Sequence, residues 1–115
     1  MYNYRMLEAA RLEYVTVASV AELEDGQRKL LDIDGEIIAV FNIAGGYFAI
    51  ADVCSHDGGP VAEGEVEGTQ IECPRHGARF DLQTGKALTL PAVVDIPSYP
   101  VRVLDGQIQI GLPVE

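Results

Sequence analysis

Both cysteines and both histidines of this 115-residue chain fall in one stretch, Asp52 to Leu82, which reads DVCSHDGGPVAEGEVEGTQIECPRHGARFDL. They stand as Cys54-Ser-His56, then sixteen residues, then Cys73-Pro-Arg-His76. Gly58, Gly59 and Pro60 follow the first pair; Pro74 and Gly77 bracket the second. Glycine permits positive φ and close backbone approach, so each pair reads as a tight loop. Two loops with matched Cys/His pairs close on one metal centre, and the rest of the chain has to fold as the frame that holds them.

Thiolate and imidazole together suit zinc, copper or an iron–sulfur cluster. Structural zinc sites usually carry Cys-x₂₋₄-Cys on one arm and His-x₃₋₅-His on the other. Here each arm carries one residue of each kind. Cys-x-His also brings two ligands very close along the chain, which suits a centre of two metal atoms. In one such [2Fe–2S] arrangement two cysteines hold one iron and two histidines the other. Two plainer readings stand beside this. The cysteines could be small buried hydrophobes. Alternatively, Cys54 and His76 could form a nucleophile–base pair, which leaves Cys73 and His56 without a task.

The paired motif resembles the Rieske-type iron–sulfur proteins. The likeness continues through Cys73-Pro74-Arg75-His76-Gly77-Ala78-Arg79-Phe80-Asp81 and Thr84-Gly85. It is detailed over about residues 50 to 90 and weaker from about Tyr14 to Leu112. The resemblance implies that Cys54 and Cys73 ligate an inner iron, and His56 and His76 an outer iron nearer the surface. It implies one [2Fe–2S] cluster per chain. High-potential members from respiratory complexes have two extra cysteines joined as a disulfide; Gly59 and Arg75 occupy those positions here. They also have a serine and a tyrosine whose hydroxyls bond to sulfur; here Ala78 and Phe80 stand there. Hydrogen bonds to sulfur raise the potential, so a value near the low end of the Rieske range, roughly −150 mV, is expected.

Composition narrows the function classes. Nearly half the residues are apolar, enough for one core, and no apolar run is long enough to span a membrane. The opening residues include Arg5, Glu8, Arg11 and Glu13, which leaves no signal-peptide h-region. With both cysteines assigned to metal no disulfide is expected, as suits a reducing compartment. The expectation is a cytoplasmic, monomeric protein without a membrane anchor. A net charge of −10 argues against nucleic acid. Six acids and no lysine or arginine lie between Asp52 and Glu72, either as a solvated face or as a steering surface for a basic partner.

Short β-rich runs separated by turn residues predict an all-β fold. Strands are expected at 14–17, 28–33, 36–43, 47–50, 65–67, 69–72, 79–82, 99–104 and 107–110. Asp34-Gly35 and Asp105-Gly106 are two-residue hairpin signals, and Gly45-Gly46 is a further tight turn. Ser19 with Glu22 fits a capping box, predicting one helical turn over 20–23. Residues 1–12 read as an N-terminal extension and 13–115 as a single domain. The expected architecture is an antiparallel β-sandwich or partial barrel, with a small cluster-binding subdomain of two loops at about 52–82. Leu90-Pro91-Ala92 reads either as a third loop over the cluster or as an ordinary surface connection.

The resemblance implies a one-electron carrier between a flavin-containing reductase and a terminal oxygenase, as in bacterial aromatic-ring dioxygenase systems. The small subunit of an assimilatory nitrite reductase is the related alternative, and a zinc-binding interaction module the unrelated one. An oxygenase of its own would need a second iron site, usually two histidines and a carboxylate. The chain has two histidines in all, so no catalytic residue is assigned.

Overall fold

Three two-residue turns set the framework. Asp34-Gly35, Ala44-Gly45 and Asp105-Gly106 all place both residues at positive φ, between 51° and 87°. This is the hairpin geometry that matches the twist of the strands it joins. The computed structural model describes residues 11–55, 58–74, 77–90, 92 and 94–114. Among these it is all strand, with no helix. Strands β1 (Arg11–Ser19), β2 (Arg28–Ile33), β3 (Glu36–Ile43) and β4 (Gly46–Ala51) come first. Then follow β5 (Val66–Glu67), β6 (Gln70–Glu72), β7 (Arg79–Asp81), β8 (Ser98–Tyr99), β9 (Val101–Leu104) and β10 (Gln107–Val114). They form three sheets, ordered β1-β10-β9, β2-β3-β4-β8 and β5-β6-β7. Every pairing is antiparallel.

The second sheet serves two cores at once. Successive side chains of a strand point to opposite faces. Ile38 and Val40 of β3, with Ala49 and Ala51 of β4, pack with Ile108, Ile110, Leu23 and Tyr99. The alternate residues, Ala39, Phe41 and Ile50, pack with Val61, Ile71, Phe80, Leu82 and Ile96. Burial on both faces explains why β3 reads as an unbroken apolar run rather than an alternating one. The first core is the sandwich; the second ties the β5-β6-β7 sheet and its loops to the sandwich's outer face.

The structure departs from sequence expectation at four places. The tight turn expected at Gly45-Gly46 lies one residue earlier, and Ala44 takes φ 52°. Left-handed backbone costs an L-residue roughly 1–2 kcal/mol. Two hydrogen bonds offset it: Ala44 N–H donates to Asp25 Oδ1 at 2.7 Å and Gly45 N–H to Asn42 Oδ1 at 3.0 Å. Strand 99–104 is in fact two strands. Pro100 has no N–H to give to a ladder, and the chain crosses there from β4's sheet to β10's. Residues 20–23 form a turn, not a helix. The Ser19 N–H still donates to Glu22 Oε1 at 3.1 Å. That N–H, the Ser19 hydroxyl and the Lys29 charge hold the Glu22 carboxyl below the usual carboxylate range. Finally, Arg11 and Leu12 belong to β1 rather than to an extension; residues 1–10 lie outside the described residues.

Replacing Ala44 with glycine should relieve the left-handed strain without disturbing either bond. An increase of about 0.5–1 kcal/mol in unfolding free energy is expected, read from denaturant or thermal unfolding. A loss of stability would show that Ala44 is not strained.

Candidate metal centre

The two cysteine loops share one hydrogen-bond frame. In the first, Cys54 N–H donates to the Gly59 carbonyl at 2.7 Å, and Gly58 N–H donates back to the Cys54 carbonyl at 2.7 Å. In the second, Cys73 N–H donates to the Ala78 carbonyl at 2.7 Å, and Gly77 N–H to the Cys73 carbonyl at 3.0 Å. Gly58 and Gly77 stand four residues after their cysteines, at φ 75° and 76°. The loops are therefore equivalent turns, although the spacing Cys-x-His differs from Cys-x-x-His. His56 and His76 fall within these turns by sequence but lie outside the described residues. Among the described residues no group of three or more Cys, His, Asp or Glu comes together to hold a metal ion.

Both thiols are buried, Cys54 at 0% and Cys73 at 1% exposure, in one core with Val61, Ala62, Ala78 and Phe80. Two sulfurs on matched turns, walled from water by apolar side chains, fit a thiolate-held metal cluster. A nucleophilic cysteine would need a partly exposed thiol.

Several residues outside the motif position these loops. Asp52 Oδ1 accepts from Val61 N–H at 2.8 Å and Ala62 N–H at 2.7 Å, closing the far side of the first loop. Arg28 on β2 reaches across to the same turn. One guanidinium nitrogen donates to the Ala62 carbonyl at 2.5 Å and the Gly64 carbonyl at 2.8 Å, and the group lies 5.2 Å from the Phe41 ring centre. Gly64 is needed for close approach: a Cβ there would sit 1.7 Å from the Glu72 carbonyl oxygen, just ahead of the second loop. Asp52 stands next to the motif in sequence, but its two partners lie nine and ten residues further on, beyond the reach of a local turn pattern. Arg28 and Gly64 are far from it or featureless in sequence, and only the fold brings them in.

The segment after β7 closes the third side. Ala92 is buried in the same core as the two cysteines, the Ser55 hydroxyl donates to the Val94 carbonyl, and the Thr89 hydroxyl accepts from Arg79 N–H at 2.9 Å. Of the two readings of Leu90-Pro91-Ala92, packing against the cluster loops is the one realised at Ala92; Pro91 lies outside the described residues. Glu63, Glu65 and Glu67, between the two loops in sequence, are exposed. Arg79 stands 3.9 Å from Glu67 and 3.7 Å from Glu72, long and solvated pairs that add little stability.

The Rieske [2Fe-2S] domain model matches residues 13–100. The chain belongs to the Rieske [2Fe–2S] family. Its cofactor is accordingly one [2Fe–2S] cluster. The 3-phenylpropionate/cinnamic acid dioxygenase ferredoxin subunit of Escherichia coli K12 is 44% identical over 95 residues, which is 82% of this chain and 89% of that one. The ferredoxin of carbazole 1,9a-dioxygenase from Nocardioides aromaticivorans IC177 superposes with a TM-score of 0.79 at 32% identity, covering 84% of this chain and 95% of that one. A ferredoxin solved in complex with the reduced oxygenase of carbazole 1,9a-dioxygenase gives 0.78 at 26% identity, covering 84% and 91%. This Rieske protein is thus similar to ferredoxin components, whose whole length it spans nearly completely.

Ala78 and Phe80 are both at 0% exposure, and neither side chain can donate to sulfur. Ala78→Ser adds one hydroxyl beside the cysteine turn. A hydrogen bond worth about 1 kcal/mol in favour of the reduced form corresponds to about 40 mV for one electron, so a rise of that order is expected in a spectroelectrochemical titration. No rise would show that the missing donor at position 78 does not set the potential. Gly64→Ala should destabilise the loops by about 3 kcal/mol or more, because the atom struck is backbone and cannot swing away. The check is iron content and denaturant midpoint of the purified variant.

Proposed function

We propose that the Rieske protein carries single electrons from a flavin-containing reductase to a terminal oxygenase, in the cytoplasm and as a monomer. Carriage rather than catalysis follows from what the chain contains. Its chemistry-bearing residues are concentrated in one pair of loops, and no histidine is left over for a second metal site. The observation that carries the reading is the duplicated turn that buries Cys54 and Cys73 in a single apolar core.

We assign Cys54 and Cys73 to the inner iron and His56 and His76 to the outer one. When bound, the cluster supplies reversible one-electron chemistry. The protein's part is to hold it still and to exclude water. Val61, Ala62, Ala78 and Phe80 wall off the sulfurs. Asp52 and Arg28 fix the turn behind the first loop, so the ligands do not have to be reorganised each time the charge changes. The histidine edges form the short path to a partner, and the net charge of −10 draws in partners with basic faces. The relatives act in systems for aromatic acids and carbazole; this chain takes from them the class of partner, a terminal oxygenase.

Metal and acid-labile sulfide analysis of anaerobically purified protein tests the cofactor. Two irons and two sulfides per chain are expected, with a rhombic EPR signal of low average g after dithionite reduction. One zinc and no sulfide would make the protein a zinc module and remove electron carriage. His56→Cys and His76→Cys test the ligands. A thiolate adds negative charge at the outer iron and should lower the potential; a variant that keeps its cluster at an unchanged potential would overturn the assignment.

A further inference from the structure

The outer face of the β2–β3 hairpin runs out from under the cluster subdomain. Ala39 and Phe41 on that face are covered, at 0% and 2% exposure, whereas Leu30 and Ile37 are 44% and 42% exposed. Leu30 pairs with Ala39 and Asp32 with Ile37, so the two exposed side chains are diagonal neighbours on the same face. They form one wall of a groove of about 630 Å³, whose other wall includes Gly58 from the first cysteine loop and Pro74 from the second. Asp52, Pro60 and Glu63 also line it. A second groove of about 280 Å³ begins at the same Ile37 and Asp52 and extends to Glu36 and Pro97.

Among the described residues lining the two grooves there are three acids and no lysine, arginine or histidine. Arg28 shares the sheet face, but its guanidinium is engaged by the Ala62 and Gly64 carbonyls. Exposed leucine and isoleucine beside acids, in a space of this size, suit a projecting apolar side chain with a cation next to it.

We propose that this groove receives an apolar side chain flanked by lysine or arginine on the surface of the electron-donating flavoprotein. The inference rests on the electron-carrier reading and deepens it by naming a docking site beside the cluster loops. The donor fits better than the acceptor on charge. It must bind a nicotinamide dinucleotide, whose diphosphate is anionic, and so carries positive potential at its redox face. An oxygenase acting on an apolar aromatic has no such requirement. Because Gly58 and Pro74 belong to the cysteine loops, a partner anchored in the groove is held next to the cluster. The apolar anchor controls how long the complex lasts, and the acids control how often it forms.

The test is the rate of NADH-dependent reduction of the holoprotein by a flavoprotein reductase active on the wild type, measured against ferredoxin concentration and salt. The double variant Leu30→Gln/Ile37→Gln should raise KM about tenfold with kcat within about twofold. Glu63→Lys should raise KM and flatten its salt dependence. Glu24→Lys, an equal change of charge on the exposed β1–β2 connection, should leave KM within about twofold. Iron content, EPR signal and midpoint potential of all three should match the wild type, which a change that merely disturbed the fold would not allow. An unchanged KM for the groove variants overturns the proposal while leaving electron carriage intact, as does an equal effect of Glu24→Lys. An effect confined to the oxygenase step, or a wild-type dimer in sedimentation that the double variant abolishes, overturns it in favour of those occupants. Wild-type protein without an iron–sulfur cluster, or one that no flavoprotein reduces, defeats both readings together.

Discussion

The burial of two sulfurs beneath two equivalent turns is the constraint on which this end of the molecule depends. A thiolate in an apolar core is costly unless a metal takes its charge, so the loops and the cluster need each other. The turns are held by their own amides, Cys54 to Gly59 and Cys73 to Ala78, and each requires a glycine at positive φ. Around them the fold adds braces from three directions. Asp52 ties the first loop to the turn that follows it, Arg28 ties that turn to the sheet below, and the Ser55–Val94 bond ties the loop to the segment after β7. A site braced in this way keeps its geometry when one electron is added or removed.

The second sheet makes that bracing possible. Its strands β3 and β4 are apolar on both faces, so one side completes the sandwich and the other becomes the floor of the cluster subdomain. Pro100 then passes the chain from this sheet to the first, which locks the two together. The arrangement leaves a margin. The floor is wider than the subdomain that covers it, and Leu30 and Ile37 sit on the uncovered part, next to both loops and among acids. Electron exchange needs a partner to approach the cluster closely but briefly, and a small apolar strip with an acidic rim suits a short-lived complex better than a broad hydrophobic face does.

Much of this was legible in the chain. Cys54 and Cys73, the two cysteines of the motif, do meet in one buried core, Asp34-Gly35 and Asp105-Gly106 announced their hairpins, and β2 and β3 span the residues expected of them. The misses have physical causes. Ala44 adopts a conformation that composition disfavours because Asp25 and Asn42 hold it there. The Ser19–Glu22 pair makes its hydrogen bond without a helix, since a strand ends at Ser19 and the chain must turn at once toward β2. Arg28 gave no signal at all, because a surface arginine on an amphipathic strand looks the same whether or not its guanidinium finds two carbonyls 34 and 36 residues away.

By itself, the sequence determined the local chemistry: which side chains can hold a metal, where the backbone must turn, and which runs are strands. These follow from residue type and spacing over a few positions. Only the tertiary structure decided that the two unequally spaced loops are the same turn, that Gly64 must be bare to let the Glu72 carbonyl pass, and that part of a sheet face is left open beside the cluster. Each of those is a relation between segments distant in the chain. Their separation in space is set by how two cores share one sheet, and no short stretch of sequence carries it.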